Sequence, residues 1–341
     1  MIINNTRART ALTCWEKAFR HYHQNLTAKT KSLDLAAGAA LHAGIAEGFS
    51  GRWDGAREVA VRKLREETEG MIWLPGEETE IEDYDRLLEV MLEKFKAAYD
   101  EEPMQIIQPE CEFDVELPGP KHHCVWIHHF SHRRLQVGPP SWQDILAGNV
   151  VRCDCDNCLV RHRVVGKTDA VVNWKGAMWL QDHKTTSIEG EQFWRQFLID
   201  IQPTIYLYGI WKSLGIMPSG FIINAIFRPS QRQVNSYNAK KRSGFRTGMA
   251  DYVRYSREAF LRTAEDMVRV ERQLIGLCDE WEERIVSGRF PLAQTGSICT
   301  MYNRSCDFFE LCCGHQYEDS GLPTREADYV DEKLLGKLEV K

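Results

Sequence analysis

Apolar side chains recur at a helical period through most of the first hundred residues. Leu12, Trp15, Phe19 and Tyr22 show this spacing near the start, and an alanine-rich segment follows them. Pro103 ends the pattern, because proline cannot continue a helix. The predicted helices cover residues 10–25, 33–50, 53–70 and 80–101.

The period changes to two after Pro103, which predicts strands. In residues 105–117, apolar and acidic side chains alternate as they do in a half-buried strand. A second pair of strand-like segments, on both sides of Trp174-Lys175-Gly176, predicts a hairpin over residues 161–187. Residues 118–160 contain several histidines and Gly/Pro turns, so we expect a loop-rich insertion there.

Helix and strand signals alternate after the hairpin. A predicted helix over 191–214 ends at Gly215, an apolar strand follows at 220–227, and a long helix is predicted over 256–288. A helix that crosses between two strands indicates a mixed sheet with helices packed on it. The sequence therefore predicts an α/β protein with a mixed central sheet flanked by helices. An N-terminal helical region and a cysteine-rich C-terminal region would complete it.

The composition narrows the class of protein. The 341 residues are 43% hydrophobic and 27% charged, which is typical of a globular enzyme. No apolar run is long enough to cross a membrane, and the N-terminus lacks the apolar core of a secretory signal. We therefore expect a cytoplasmic protein without a membrane partner.

The charge is distributed unevenly around a net value of −6. Residues 66–102 hold fourteen Asp and Glu against three Lys and Arg, whereas residues 228–262 hold nine Lys and Arg against two Asp and Glu. A basic stretch can bind the phosphates of DNA, and Lys240, Lys241 and Arg242 are its candidate contacts. A solvated surface would show the same composition, so charge alone does not decide.

Three charged residues lie where the two strands of the hairpin should run side by side. Alternate residues of a strand share a face, so Asp182 and Lys184 point the same way and His183 points oppositely. Asp169 lies on the neighbouring strand, about 4.8 Å away. Two adjacent carboxylates repel each other, and a bound Mg²⁺ or Mn²⁺ ion would relieve that repulsion. This set favours metal-assisted hydrolysis of a phosphodiester.

An isolated Asp-x-Lys motif is also typical of a surface ion pair. Gln202 and Tyr206 support the hydrolytic interpretation, because a separation of four residues places them on one face of the helix after the hairpin. His42 lies in a helix of small residues that allows a neighbouring element to approach closely. Each of these features, taken singly, is also typical of packing residues.

These motifs, in this order, resemble those of the RecB-like branch of the PD-(D/E)XK nuclease superfamily. The match runs from about residue 10 to residue 313 and implies a restriction-endonuclease-like fold. The family's G-x-x-x-H helix resembles Gly38 to His42, its G-x-x-D strand Gly166 to Asp169, its (D/E)-x-K strand Asp182 to Lys184, and its Q-x-x-x-Y helix Gln202 to Tyr206.

The resemblance implies a catalytic metal site at the hairpin. His42, Asp169 and Asp182 would bind the metal, together with the backbone carbonyl of His183. Lys184 would position or activate the attacking water and stabilise the transition state. A Mg²⁺ or Mn²⁺ ion would be the cofactor.

The resemblance also implies how the site would meet its substrate. Gln202 and Tyr206 would hold the site together and contact a DNA strand. Thr185 and Thr186 could contact phosphate, although ending the strand would explain them equally well.

The same resemblance implies a role for several of the eleven cysteines. Clustered cysteines in a reducing compartment bind metal more often than they form disulfides. Many RecB-like nucleases hold a [4Fe–4S] cluster on one N-terminal and three C-terminal cysteines, which the resemblance assigns to Cys14, Cys299, Cys306 and Cys312. Cys313 competes with Cys312. A structural zinc on the same four cysteines is the alternative.

A second cysteine group lies in the loop-rich insertion. Cys153, Cys155 and Cys158 are closely spaced, and Cys124 lies in a histidine-rich stretch before them. A second zinc site on these residues is one interpretation. Unpaired thiols in an exposed loop are the other.

Two functions follow from the resemblance. The first is a metal-dependent DNA nuclease, most simply an exonuclease, acting in recombination, repair or phage DNA metabolism in a bacterial or phage-infected cell. The alternative is a non-catalytic iron–sulfur module that binds DNA ends within a helicase–nuclease complex. The intact set of Asp169, Asp182 and Lys184 favours the enzyme. The chain carries no P-loop motif, so a helicase or recombination partner would be a separate protein.

Three regions are expected along the chain. Residues 1–104 would form a helical region that contributes His42 and Cys14. Residues 105–290 would form the nuclease core, including the loop-rich insertion. Residues 291–341 would form the cysteine-rich region that completes the cluster with Cys14.

Overall fold

The elements below come from a computed structural model. The structure describes residues 1–26, 33–69, 78–118, 127–128, 150–151, 162–229, 252–293, 296–300 and 305–314. The strands are β1 (Ile2–Ile3), β2 (Gln105–Leu117), β3 (Ile127–His128), β4 (Val150–Val151), β5 (His162–Trp174), β6 (Ala177–Thr186), β7 (Gly220–Phe227) and β8 (Arg254–Leu261). The helices are α1 (Asn5–Thr13), α2 (Trp15–Tyr22), α3 (Leu33–Phe49), α4 (Trp53–Thr68), α5 (Glu78–Glu101), α6 (Glu191–Arg195), α7 (Ile201–Leu214), α8 (Ala264–Ser287), α9 (Gly296–Cys299) and α10 (Phe309–Cys312).

Among the described residues, the central sheet has six strands of mixed direction. The antiparallel hairpin β5–β6 continues through β7, which is parallel to β6, to β8, which is antiparallel to β7. Strand β2 runs antiparallel along β5, and β1 pairs parallel with the first residues of β5. Helix α7 makes the crossover between the parallel strands β6 and β7, as expected for such a pair.

Helices cover both faces of the sheet. The alternating side chains of β7 separate into two buried clusters, because successive residues of a strand point to opposite faces. Ile223 and Ala225 join a cluster built from α1, α2, α7 and α8, whereas Ile226 joins one built from α3, α4 and α5. The predicted mixed sheet flanked by helices is confirmed.

The single helix predicted over residues 10–25 is wrong. Cys14 has extended backbone angles, φ −161° and ψ 114°, so it ends α1 and begins α2. Its sulfur accepts a hydrogen bond from the backbone N–H of Lys17 at 3.4 Å, in the position of an N-cap. The predicted period continued through this break because both helices bury apolar side chains against the same cluster.

Two other helix predictions have wrong boundaries. The predicted helix 191–214 is interrupted at Ile199 and Asp200, where Asp200 caps α7 by accepting a hydrogen bond from Gln202 N–H. The predicted helix 256–288 begins only after Thr263, because residues 254–261 pair with β7 as an edge strand. Within the described ranges, no helix has the length and apolar content needed to cross a membrane.

Candidate active site

The site lies where β6 separates from β5. The last paired residues are Ala170 and Gln181, and beyond them β6 continues along β7 alone. Asp169 and Asp182 are the next residues on the two strands. The backbone N–H of His183 has no β5 partner there and donates to the Asp169 carboxylate at 2.6 Å. Because the strands separate here, this N–H donates to a side-chain carboxylate and not to a backbone carbonyl of β5.

Helix α3 places the imidazole of His42 beside the point where β5 and β6 separate. Gly38 and His42 lie one turn apart, so both face the sheet. A Cβ on Gly38 would lie 3.3 Å from the hydroxyl oxygen of Thr185, and the glycine therefore allows α3 to approach β6 closely. His42 Nδ1 lies 3.1 Å from an Asp169 oxygen. His42 and Asp169, which the resemblance assigns to one metal ion, therefore lie in direct contact with each other.

A polar chain extends from Asp182 to α7. Lys184 Nζ lies 2.7 Å from Asp182 Oδ2 and 3.3 Å from the side-chain oxygen of Gln202. The amide of Gln202 donates in turn to the Tyr206 hydroxyl at 3.0 Å. The four residues that the sequence placed on one strand face and one helix face therefore form one connected group.

Phe113 of β2 sets the position of α7. Its ring lies between Gly166 of β5 and Gly209 of α7, and a Cβ at either glycine would overlap the ring. The same ring meets Tyr206 edge-on, with ring centroids 6.0 Å apart. The glycine of the predicted G-x-x-D motif thus serves packing, and that packing places the Gln202 face of α7 over the strands.

Burial and the charges inside the site shift the pKa values of the two acids in opposite directions. Burial disfavours ionisation of Asp169, but His42 and the N–H of His183 overcome it and hold the pKa of that carboxyl below its ordinary value. Burial dominates at Asp182 and raises the pKa of its carboxyl, against the opposing effect of Lys184. Burial alone would lower the pKa of Lys184, but Asp182 outweighs it and the pKa is raised. The lysine is therefore an ammonium at neutral pH.

A hydrogen-bond network that the sequence analysis did not identify holds His183 from the other face of the sheet. Asn224 is fully buried opposite His183 in β7, and its amide nitrogen lies 3.0 Å from His183 Nδ1. Its oxygen accepts from Tyr255 at 2.7 Å and from Arg257 at 2.9 Å. Arg257 also pairs with Glu102. A lone asparagine inside the apolar strand GFIINAIF was the available sequence signal.

This network determines which ring nitrogen of His183 accepts a hydrogen bond. The Nε–H of Arg257 can only donate, so the Asn224 oxygen must face it and the Asn224 NH₂ must face His183. Nδ1 of His183 is therefore an acceptor, and burial lowers the pKa of the imidazole to about 3. The contact of His183 with Asp169 is made by its backbone N–H, whereas the predicted role concerns its backbone carbonyl.

Arg9 of α1 is a second residue that the sequence analysis missed. Its guanidinium lies 3.4 Å from the same Gln202 oxygen that contacts Lys184, and 3.8 Å from an Asp200 oxygen. It was not identified because it lies 193 residues before Gln202 and carries no local motif. Thr186, by contrast, accepts from the backbone N–H of Ile188 at 3.0 Å, which is a strand-end contact.

The cysteines assigned to a cluster come from both ends of the described chain. The backbone N–H of Cys306 donates to the carbonyl of Cys299 at 2.7 Å. Burial, followed by Glu16, Cys306 and Cys14, raises the pKa of Cys312 to about 11. Cys312 is half-buried whereas Cys313 is exposed. The second cysteine group and the basic residues 240–242 lie outside the described residues.

The donor atoms at the two candidate metal sites can be compared with what a metal requires. Asp182 is buried, its Oδ2 lies 2.7 Å from the Lys184 ammonium, and its neighbours offer a second carboxylate and an imidazole. In the described part of the chain, no three His, Cys, Asp or Glu side chains converge closely enough to hold a metal ion. In chemical type, the acids and His42 still suit a hard divalent cation. In the structure, each acid is paired with a basic group of the chain.

Comparisons with known proteins place this geometry in a family. A family model described as the PD-(D/E)XK nuclease superfamily matches residues 3–313. Among solved structures, a putative exonuclease from Eubacterium rectale is 10% identical with a TM-score of 0.44, over 92% of this chain and 94% of that one. The protein SSO0001 is 10% identical with a TM-score of 0.30, over 82% and 85% of the two chains. The curated proteins gave no match. On the extent of the family match, the chain belongs to the PD-(D/E)XK nuclease superfamily.

Proposed function

We propose that the protein is a Mg²⁺- or Mn²⁺-dependent DNA exonuclease of the RecB-like type, acting in recombination, repair or phage DNA metabolism. The observation that carries the proposal is the meeting of Asp169, Asp182 and Lys184 at the separation of β5 and β6. Binding DNA without cleaving it would not require two acids and an ammonium ion at one point. A separate helicase or recombination protein would deliver the DNA.

Asp169, Asp182, His42 and the backbone carbonyl of His183 would hold the divalent cation. The cation would polarise the scissile phosphate and lower the pKa of the attacking water. The two neighbouring carboxylates support this assignment, because carboxylate oxygens suit a hard divalent cation and the cation would relieve their repulsion.

The side chains around the acids would stabilise the charge that develops on the phosphate. In hydrolysis, the water oxygen forms a bond to phosphorus, the ester P–O bond breaks, and the leaving oxygen takes a proton. Lys184 is charged, so it would bind a phosphate oxygen and stabilise the added negative charge. Gln202 holds the lysine from the side, and Tyr206 holds Gln202. These two would act through position and not as acids, since burial raises the pKa of Tyr206 above its ordinary value.

We propose in addition that Cys14, Cys299, Cys306 and Cys312 bind a [4Fe–4S] cluster that joins the two ends of the nuclease. The backbone hydrogen bond from Cys306 to Cys299 supports the grouping, and the exposure of Cys313 favours Cys312 as the fourth ligand. The contact of α2 with residues 290 and 291 brings the N-terminal cysteine to the same end of the molecule. Protein purified without oxygen should be brown and contain iron and sulfide. A colourless protein that contains zinc would support the zinc alternative.

The catalytic proposal is tested by comparing Asp182→Asn with wild type on end-labelled single- and double-stranded DNA. The substitution keeps the size of the side chain and removes a charge that would bind the cation. We expect wild type to cleave with Mg²⁺ or Mn²⁺ and the variant to lose at least about a thousandfold in rate. Asp100→Asn on the exposed face of α5 is the matched control and should cleave as wild type does.

The same assay separates the two candidate functions. Equal cleavage by wild type and Asp182→Asn would reject the site. DNA-end binding without cleavage, by a wild-type sample that contains its cluster and either metal, would instead support a non-catalytic binding module. Thermal unfolding of each variant checks that the substitution leaves the fold intact.

A further inference from the structure

Two large apolar side chains are exposed directly before the catalytic helix α7. Leu198 is 60% exposed and Ile199 is 89% exposed, and both precede Asp200, the cap of that helix. Single exposed apolar residues are common, but this pair is adjacent in sequence and lies at the edge of a candidate active site, where it can contact a ligand. Gln202, which contacts Lys184, is only three residues beyond Ile199.

The turn that carries these side chains is fixed by Arg262. One NH₂ group of its guanidinium donates to the carbonyls of Phe197 and Leu198 at 2.7 and 3.1 Å. Its Nε donates to Thr204 at 3.1 Å, and the guanidinium lies 4.8 Å from the centre of the Phe221 ring. The guanidinium of Arg262 thus fixes the backbone of this turn through several contacts. The exposure of the two apolar side chains is therefore a consequence of the fold.

A cavity of about 410 Å³ opens beside this turn, between α1 and α8. Leu198 and Ile199 form part of its wall, and Arg9 and Arg269 lie at its edge from two different helices. Both arginines are accessible, since Arg9 is 52% and Arg269 is 78% exposed at the side chain. Arg9 joins the cavity to the catalytic residues through its contact with Gln202.

We propose that this cavity binds the unpaired nucleotides next to the scissile phosphate, with bases on Leu198 and Ile199 and phosphates on Arg9 and Arg269. The proposal rests on the proposed nuclease function and adds a strand-binding subsite to it. The combination of apolar side chains in the wall with exposed arginines at the edge matches a single strand, whose bases expose apolar faces that a duplex hides. Arg9 pairs with Asp200 at 3.8 Å and Arg269 pairs with Asp266 at 3.5 Å, and a purely apolar protein partner would bury both ion pairs without replacing their contacts with water.

The test separates base contacts from chemistry by using two substrates. Ile199→Ser and Leu198→Ser are compared with wild type on a short single-stranded oligonucleotide and on bis(p-nitrophenyl) phosphate, which has no bases. We expect KM for the oligonucleotide to rise about tenfold in each variant, kcat to change less than about twofold, and hydrolysis of the base-free diester to stay unchanged. The matched control is Val286→Ser, because Val286 is 88% exposed on α8 and should change neither substrate.

Binding without metal keeps the inference testable if no cleavage is found. The affinity of a fluorescent oligonucleotide in EDTA should fall about tenfold in Ile199→Ser. Arg269→Gln should reduce the steepness of the salt dependence by about 0.7 per lost phosphate contact. Arg65→Gln, which removes an exposed arginine of α4, should leave that slope unchanged. Wild-type affinity in Ile199→Ser and Leu198→Ser would overturn the subsite, whether or not the protein is a nuclease.

Discussion

The acid site and the cysteine group both join distant parts of the chain, but they are built differently. The acids lie on paired strands, and His42 lies on a long helix packed against those strands. Cys14 lies at the break between α1 and α2, Cys299 and Cys312 end two helices of four residues each, and Cys306 lies outside any helix or strand. The backbone of the acid site is therefore held by the sheet, whereas the thiols have little regular structure to hold them.

This difference predicts what each site needs in order to keep its shape. Asp169 and Asp182 are compensated by His42 and Lys184, so the chain itself supplies the opposing charge. The apolar contacts beneath the cysteines are few, with Leu26, Phe308 and Leu311 forming a small separate cluster. We infer that the acid site is organised by the fold and that the cysteine region is organised largely by its ligand.

The largest effect is expected at Cys14. Serine is a better N-cap than cysteine, so Cys14→Ser would maintain or strengthen α2 if capping were the whole role of Cys14. If Cys14 binds the cluster, the same substitution removes a ligand and should lower the free energy of unfolding by about 4 kcal/mol or more. Denaturation under anaerobic conditions, together with iron analysis, measures both outcomes.

Cys313→Ser is the matched control for that measurement. Cys313 is exposed and adjacent to the proposed ligand Cys312. The substitution should change the stability by less than about 0.5 kcal/mol and leave the iron content unchanged. Iron retained in Cys14→Ser, or lost in Cys313→Ser, would contradict the proposed ligand set.

A smaller effect is expected from Asn224, which tests whether the fold organises the acid site. Asn224→Leu would leave Arg257, Tyr255 and Nδ1 of His183 without their buried partner, at a cost of about 3 kcal/mol. The main chain at His183 would lose its support, so we expect a 10- to 100-fold higher Mg²⁺ concentration for half-maximal cleavage. Urea denaturation and a Mg²⁺ titration of the rate measure these two effects separately.

The Mg²⁺ titration distinguishes a purely structural role of Asn224 from a role in organising the metal site. A structural role alone would lower stability and leave the Mg²⁺ requirement unchanged in the fraction that remains folded. Ile222→Val in the same strand is a control, because it removes one buried methyl group without touching the network. It should cost about 1 kcal/mol and leave the titration unaltered.

Gly38 tests the close approach of α3 to β6. Gly38→Ala places a methyl group 3.3 Å from the Thr185 hydroxyl while raising helix propensity by about 1 kcal/mol. We expect stability to stay level or rise while cleavage falls about tenfold, because His42 is displaced from Asp169. The double variant Gly38→Ala/Thr185→Ala should recover most of the rate relative to Thr185→Ala alone. Equal rates in wild type and Gly38→Ala would show that the close contact does not position His42.

The sequence predicted the relative positions of the charged hairpin residues better than it predicted the elements around them. Asp169, Asp182 and Lys184 could be placed because strand alternation and a short hairpin determine their neighbours. Strand β8 was mistaken for helix because its residues REAFL favour a helix locally, and only pairing with β7 overrides that preference. Asn224 was missed because its partners come from β6 and β8, which no local pattern connects.

The described residues also show where a local signal was present and was not used. Thr263 is followed three residues later by Asp266, which is the pattern of a capping box, and the structure contains that box at the start of α8. The helix prediction nevertheless began at residue 256. Similarly, Asp200 before the apolar run of α7 was a readable cap signal. Cap residues would therefore have corrected two of the three wrong helix boundaries.

The smallest effect on stability is expected at the capping box of α8. It gives the ordinary contribution of a helix cap to stability, with which the effect of Cys14→Ser is compared. Thr263→Ala removes the hydroxyl that caps α8 and should cost about 1 kcal/mol at pH 7, with cleavage unchanged. The N–H of Thr263 is the main cause that lowers the pKa of Asp266, and the hydroxyl adds to it. The carboxylate therefore stabilises the fold above its unfolded-state pKa of about 3.8, and this contribution is lost as the pH falls through the lower folded-state value. The cost of Thr263→Ala should accordingly shrink between pH 7 and pH 3 in urea denaturation. Unchanged stability in Thr263→Ala at pH 7 would show that the capping box does not stabilise α8.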